Sequence, residues 1–135
     1  EATVADGTPT DDPIDRAVVD RIRNDVHALA ARIDAVGREF ANRRDDGQRL
    51  AAWGGGARAV GLMNLVPATD AIEWVVDINP RKQGTFVAGT GHSIVAPETL
   101  QDAQPDAVLI VNPVYTDEIA RMLADLGVDA DLISI

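Results

Sequence analysis

Between Pro13 and Arg44, apolar residues fall at Ile14, Val18, Ile22, Val26, Leu29, Ile33, Val36 and Phe40. Steps of four and three residues place them on one stripe, which predicts a long amphipathic helix; the later steps alternate as in a heptad seam. Asp12 before Pro13 offers an N-cap and a proline at the first helical position. Asp45-Asp46-Gly47 ends the run, and Gly37 weakens it locally. Such a stripe either covers the protein's own sheet or forms a seam for another domain or a second subunit. Residues 1–12 are polar and read as a flexible tail.

After Gly47 the pattern becomes that of alternating strands and helices. Strands are predicted at Arg49–Trp53, Ala71–Asp77, Ile94–Val95, Ala107–Val111 and Asp131–Ile135. Helices are predicted at Ala57–Val66, Pro97–Ala103 and Thr116–Leu126, the last with Thr116 as N-cap and Gly127 as its stop. The run Ala107–Val111 is apolar throughout, as in a strand buried on both faces. Strands alternating with helices imply a Rossmann-like α/β fold: a parallel five-stranded sheet flanked by helices and preceded by the long N-terminal helix. The organisation expected is a tail at 1–12, a helical linker or cover at 13–46 and the α/β domain at 47–135.

Composition narrows the chemistry. With 46% hydrophobic residues in 135, one packed core is affordable. Cysteine is absent, which excludes disulfides, thiolate metal sites and a cysteine nucleophile, and fits a cytoplasmic protein. The net charge is −10 and Lys82 is the sole lysine, so the clustered cations of a nucleic-acid footprint are missing. No apolar run reaches membrane length. No metal-ligand spacing, Ser-His-Asp set or P-loop is visible, so no catalytic and no metal residue is assigned.

Four places could bind a ligand. Gly54, Gly56 and Ala59 match the G-x-G-x-x-G/A spacing between a strand and a helix, with Gly55 inside the turn. There the helix N-terminus favours an anion, and Arg58 adds charge; a turn that binds nothing is the plainer reading. Asp77 ends the second strand where dinucleotide folds place a ribose-binding acid, or it caps the turn Asp77-Ile78-Asn79-Pro80. The long loop from Ile78 to Ser93 carries Lys82, Thr90 and His92; the histidine is a base or hydrogen-bonding group, or a structural one. Asn112 and Tyr115 follow the fourth strand, where open α/β sheets form their ligand crevice, or they simply make the connection.

The segments WGGGARAVGLMN, VVDINPRKQGTFVAGTGHSIVAPETL and PDAVLIVNPVYTDEI resemble the C-terminal domain of sugar C-methyltransferases and related class I methyltransferases. The resemblance covers roughly residues 48–135, and the preceding helix is similar to the helical linker before that domain. It implies a Rossmann-like domain that binds no cofactor of its own. A zinc-binding part and a central S-adenosylmethionine (SAM) domain precede it in such enzymes, and the catalytic base lies in those parts. The domain itself holds a small-molecule substrate, often a nucleotide-linked sugar, against the SAM domain, its partner in cis or in trans. The implied contacts are Gly54 to Arg58, Asp77, Asn79, Lys82 and Thr90. Two departures stand out: the family's Lys-Gly-Asn is Arg58-Ala59-Val60 here, and His92 sits one position later than the usual loop histidine.

The expected function is therefore the substrate-binding C-terminal domain of a SAM-dependent methyltransferase, not catalytic by itself. The alternatives are a free-standing NAD- or CoA-binding module, and an assembly domain that dimerises through the N-terminal helix.

Overall fold

The computed structural model describes residues 13–135, and side chains from Asp15 onward; the proposed tail and the Asp12 cap lie outside the described residues. Two compact units divide the chain, residues 1–32 and residues 33–135. The long helix α1, Pro13–Asp45, belongs to both.

Burial changes along its stripe. In the first unit Val18, Val19, Ile22, Val26 and Leu29 are about half exposed or more, with Val26 at 57%. In the second unit Ile33 and Val36 pack against the core, and Phe40 is buried at 1% exposure. The helix therefore does not use its seam uniformly, as a simple cover helix would.

The second unit is a five-stranded, all-parallel sheet. Its strands are β1 (Leu50–Trp53), β2 (Ile72–Val76), β3 (Ile94–Val95), β4 (Ala107–Ile110) and β5 (Asp131–Ser134). They lie in the order β3-β2-β1-β4-β5. Helices α2 (Ala57–Leu65), α3 (Thr99–Ala103) and α4 (Thr116–Asp125) make the connections, with short 3-10 turns at Thr69–Ala71 and Pro113–Tyr115.

The period of two along each strand builds two cores, one per sheet face. Leu50 and Ala52 of β1 with Ala107 and Leu109 of β4 join Phe40 of α1 and Ala59 and Met63 of α2. Ala51, Trp53, Val108 and Ile110 face the other way, onto Leu100 of α3 and Ile119 and Leu123 of α4. Both faces of β1 and β4 are thus covered, which is why these strands are almost wholly apolar.

Two local expectations need correction. Thr116 does not cap α4: its hydroxyl donates to the carbonyl of Pro113 at 2.7 Å, and Tyr115 occupies the N-cap without a side-chain bond. The 3-10 turn takes up one orphan group of the helix start, the Thr116 N–H donating to the Pro113 carbonyl. The segment Ile78–Ser93 is also more ordered than an open loop. Phe86 bridges Ser93 antiparallel, Ile94 N–H donates to the Thr85 carbonyl at 2.8 Å, and Val87 is buried as a plug. Among the described residues no helix is long and apolar enough to cross a membrane.

Candidate functional site

The chain leaves β1 at Trp53 and turns at Gly54, whose φ of 115° lies in the region that favours glycine. Gly54 N–H still donates to the Val76 carbonyl at 2.7 Å, so the turn starts anchored on β2. Gly55 N–H donates to Asp77 Oδ2 at 2.8 Å, and Asn79 N–H donates to Asp77 Oδ1 at 2.8 Å. Lys82 Nζ lies 3.4 Å from Oδ2.

Asp77 is buried. Burial alone would raise its carboxyl, but the N–H groups of Asn79 and Gly55 and the charge of Lys82 outweigh it and hold the group below the ordinary carboxylate value. The acid thus organises the glycine turn from inside. A Cβ on Gly55 would stand 3.0 Å from Ile94 Cδ1 and 3.2 Å from Asp77 Oδ2, so this middle glycine is needed for packing. At Gly56 a Cβ would stand 3.4 Å from Lys82 Nζ, which places the ammonium over the bare backbone of the turn.

A cavity of about 430 Å³ opens beside this turn. It lies at the carboxyl ends of β1 and β4, where the strand order reverses, the position at which open α/β sheets form ligand crevices. One lip is Gly54, Gly56, Ala57 and Arg58; the apolar wall is Trp53, Val111, Ile119 and Met122; Ile78, Tyr115 and Glu118 complete the rim. No side chain caps α2, so the N–H groups of its first turn remain for solvent or a ligand. Arg58 Nη1 donates to Asn112 Oδ1 at 3.2 Å, which joins the two lips.

Of the residues singled out in the sequence, Gly54, Gly56, Arg58, Asp77, Asn112 and Tyr115 line this cavity. Gly55 and Lys82 adjoin it through Asp77. Asn79 faces elsewhere, its side chain accepting the N–H of Arg81 at 3.0 Å. Thr90 and His92 are not among the lining residues. His92 Nε2 donates to the Thr69 carbonyl at 3.0 Å and Nδ1 meets Thr90 Oγ1 at 2.8 Å, so the pair ties its loop to the 3-10 turn before β2. Ile78, Val111, Glu118, Ile119 and Met122 line the cavity too, without having stood out as candidates in the sequence. Tyr115, Glu118, Ile119 and Met122 follow a spacing of three and four, the one signal that marks them as a single face. Among the described residues no three of His, Asp or Glu gather as metal ligands.

The model of the C-methyltransferase C-terminal domain matches residues 18–130. The chain belongs to that family. The match begins in α1, so this helix is part of the C-methyltransferase C-terminal domain as the family is defined. No curated protein matches this C-methyltransferase C-terminal domain. Solved structures with a similar fold include the following two. One is RSP, a Rex-family repressor, at TM-score 0.49 and 16% identity over 65% of this chain and 52% of that one. The other is RSP in complex with beta-NAD+ and operator DNA, at TM-score 0.49 and 17% identity over 65% of this chain and 50% of that one. The domain spans about half the length of those chains.

Proposed function

We propose that this domain holds the substrate of a SAM-dependent C-methyltransferase in the crevice between α2 and α4, while another domain binds SAM and carries the base. The observation that carries the reading is the division of the crevice. One lip offers Arg58 and the uncapped N–H groups at the start of α2; the opposite wall is Val111, Ile119 and Met122. A nucleotide-linked sugar has this polarity: its diphosphate lies along the cationic lip and its less polar part along the wall. The exposed rim residues Ile78 and Tyr115 face the domain that closes the crevice, excluding water from the reacting carbon.

SAM supplies the electrophilic methyl group when bound. The residues present do not fit it here, because Asp77, the acid placed to grip a ribose, spends its carboxylate on Gly55, Asn79 and Lys82. The same engagement weighs against a free-standing NAD or CoA module. The net charge of −10 weighs against a nucleic-acid partner, and the absence of cysteine accords with a cytoplasmic enzyme. The exposed stripe Ile22, Val26 and Leu29 is assigned to contact with the SAM-binding domain, with a second copy as the alternative.

Amide NMR of the labelled chain titrated separately with UDP-glucose, SAM and NAD tests the reading. Resonances of Gly54 to Ala59 and Val111 to Met122 are expected to move with UDP-glucose and to ignore SAM. Movement with NAD alone would overturn the reading in favour of the nucleotide module.

A further inference from the structure

We infer that Asn112 is the positioning residue for Arg58, and that it sets the preference of the crevice for an anionic group. The inference rests on the crevice as the substrate site and adds what selects its ligand.

Arg58 is exposed on the first turn of α2, and a long exposed arginine has no fixed position of its own. Its Nη1 nevertheless donates to Asn112 Oδ1 at 3.2 Å, across the mouth of the cavity both residues line. Asn112 is itself held: it stands just past the buried Val111 that follows β4, and the same Oδ1 accepts Val114 N–H at 3.4 Å, closing the 3-10 turn Pro113–Tyr115. The end of a central strand thus fixes the acceptor, and the acceptor fixes the guanidinium.

The chemical type of the acceptor matters. Arg43, Arg44 and Arg49 are each paired with a carboxylate, as befits structural arginines. Arg58 has no carboxylate partner among the described residues. A neutral amide oxygen orients a guanidinium without cancelling its charge, and it engages one of five N–H donors, leaving the rest of the fork for a second acceptor. Lys82 at the far side of Gly56 is committed to Asp77, so Arg58 is the cation of the lip with charge to spare. An anion placed between Arg58 and the first turn of α2 meets both the fork and the helix N-terminus. That selects a phosphate or diphosphate over a neutral ligand of the same size.

The test is Asn112→Asp, read beside Asn112→Ser, Arg58→Gln and the double variant Asn112→Asp with Arg58→Gln, on the 135-residue chain. Aspartate and serine both keep an oxygen that accepts Val114 N–H, so neither disturbs the turn as alanine would. The probes are UDP and inorganic pyrophosphate, titrated by calorimetry at two salt concentrations. Asn112→Asp is expected to keep the melting temperature, weaken UDP roughly tenfold and flatten its salt dependence, because its carboxylate takes the charge of Arg58. In the Arg58→Gln background the same change is expected to cost less than in the wild type, since only the direct repulsion between carboxylate and diphosphate is left. If Asn112→Asp binds UDP as the wild type does, or costs as much without Arg58 as with it, the positioning role is overturned while the crevice reading stands. If the wild type binds neither probe, both fall together.

Discussion

The carboxylate of Asp77 accepts the backbone N–H of Gly55 at 2.8 Å, which ties the end of β2 to the turn after β1. Asp77, which also lines the cavity, thereby shapes the glycine turn. This connection has a pH signature. Because the folded state holds the carboxyl below its ordinary value, its contribution is fully present above about pH 4 and is lost as pH falls through the lowered folded value. Asp77→Ala, which leaves the buried N–H of Gly55, the part-buried N–H of Asn79 and Lys82 without their acceptor, is expected to cost about 1–3 kcal/mol at pH 7. Urea unfolding of the wild type and Asp77→Asn at pH 7 and pH 3 provides the check: the gap between them should narrow in acid. An equal gap at both pH values would show that the charge of Asp77 stabilises nothing.

Gly89 and Asn64 form a second lock. Asn64 Nδ2 donates to the carbonyls of Val60 at 2.7 Å and Ala88 at 2.9 Å, joining α2 to the loop before β3. Gly89 has a φ of 88°, and any Cβ there would run into the Asn64 side chain. Gly89→Ala is therefore expected to cost about 1–3 kcal/mol, combining backbone strain with the clash. The clash portion depends on Asn64, so the penalty should shrink in an Asn64→Ala background. A double-mutant cycle with no coupling would place the whole effect in the backbone.

Gly37 lies within α1, where alanine would ordinarily gain roughly 1 kcal/mol of helix propensity. A Cβ at this position would lie 2.9 Å from Pro67 Cδ and 3.0 Å from its carbonyl oxygen. The close approach of the helix to Pro67 reverses the sign. Thermal denaturation of Gly37→Ala should show a lower melting temperature; a rise would mean that Pro67 yields easily.

The apolar stripe of α1 predicts unequal costs for similar truncations. Phe40, buried at 1% exposure, should lose about 3–5 kcal/mol on change to alanine. Leu29, at 55% exposure, should change the stability of this chain by no more than about 0.5 kcal/mol when replaced by glutamine. Chemical denaturation at several protein concentrations distinguishes the readings of the stripe. A large, concentration-dependent loss for Leu29→Gln would show that a second copy covers it.

Much of the fold is legible in the residue pattern, because period and punctuation are local properties. The period of three and four from Val18 to Phe40 announces α1, the apolar run Ala107–Val111 announces a buried strand, and Gly127 marks the end of α4. Strands alternating with helices then leave few topologies, and the parallel sheet follows. The spacing of Gly54, Gly56 and Ala59 also locates the crevice, since it marks a strand-to-helix turn at the carboxyl end of the sheet.

Partnership was decided only in three dimensions. Whether Asp77 faces a ligand or Gly55, whether His92 serves chemistry or the Thr69 carbonyl, and whether Arg58 meets a carboxylate or Asn112 all depend on residues far apart in the chain. A side chain's role is set by what it can reach at about 3 Å, and sequence periodicity carries no information about that distance. Gly37 shows the same limit: its cost to the helix is readable locally, while its purpose is the approach of Pro67, 30 residues on. The sequence determined the elements and their order; the packing of the sheet against its loops decided which polar groups are consumed inside the fold and which remain for a ligand.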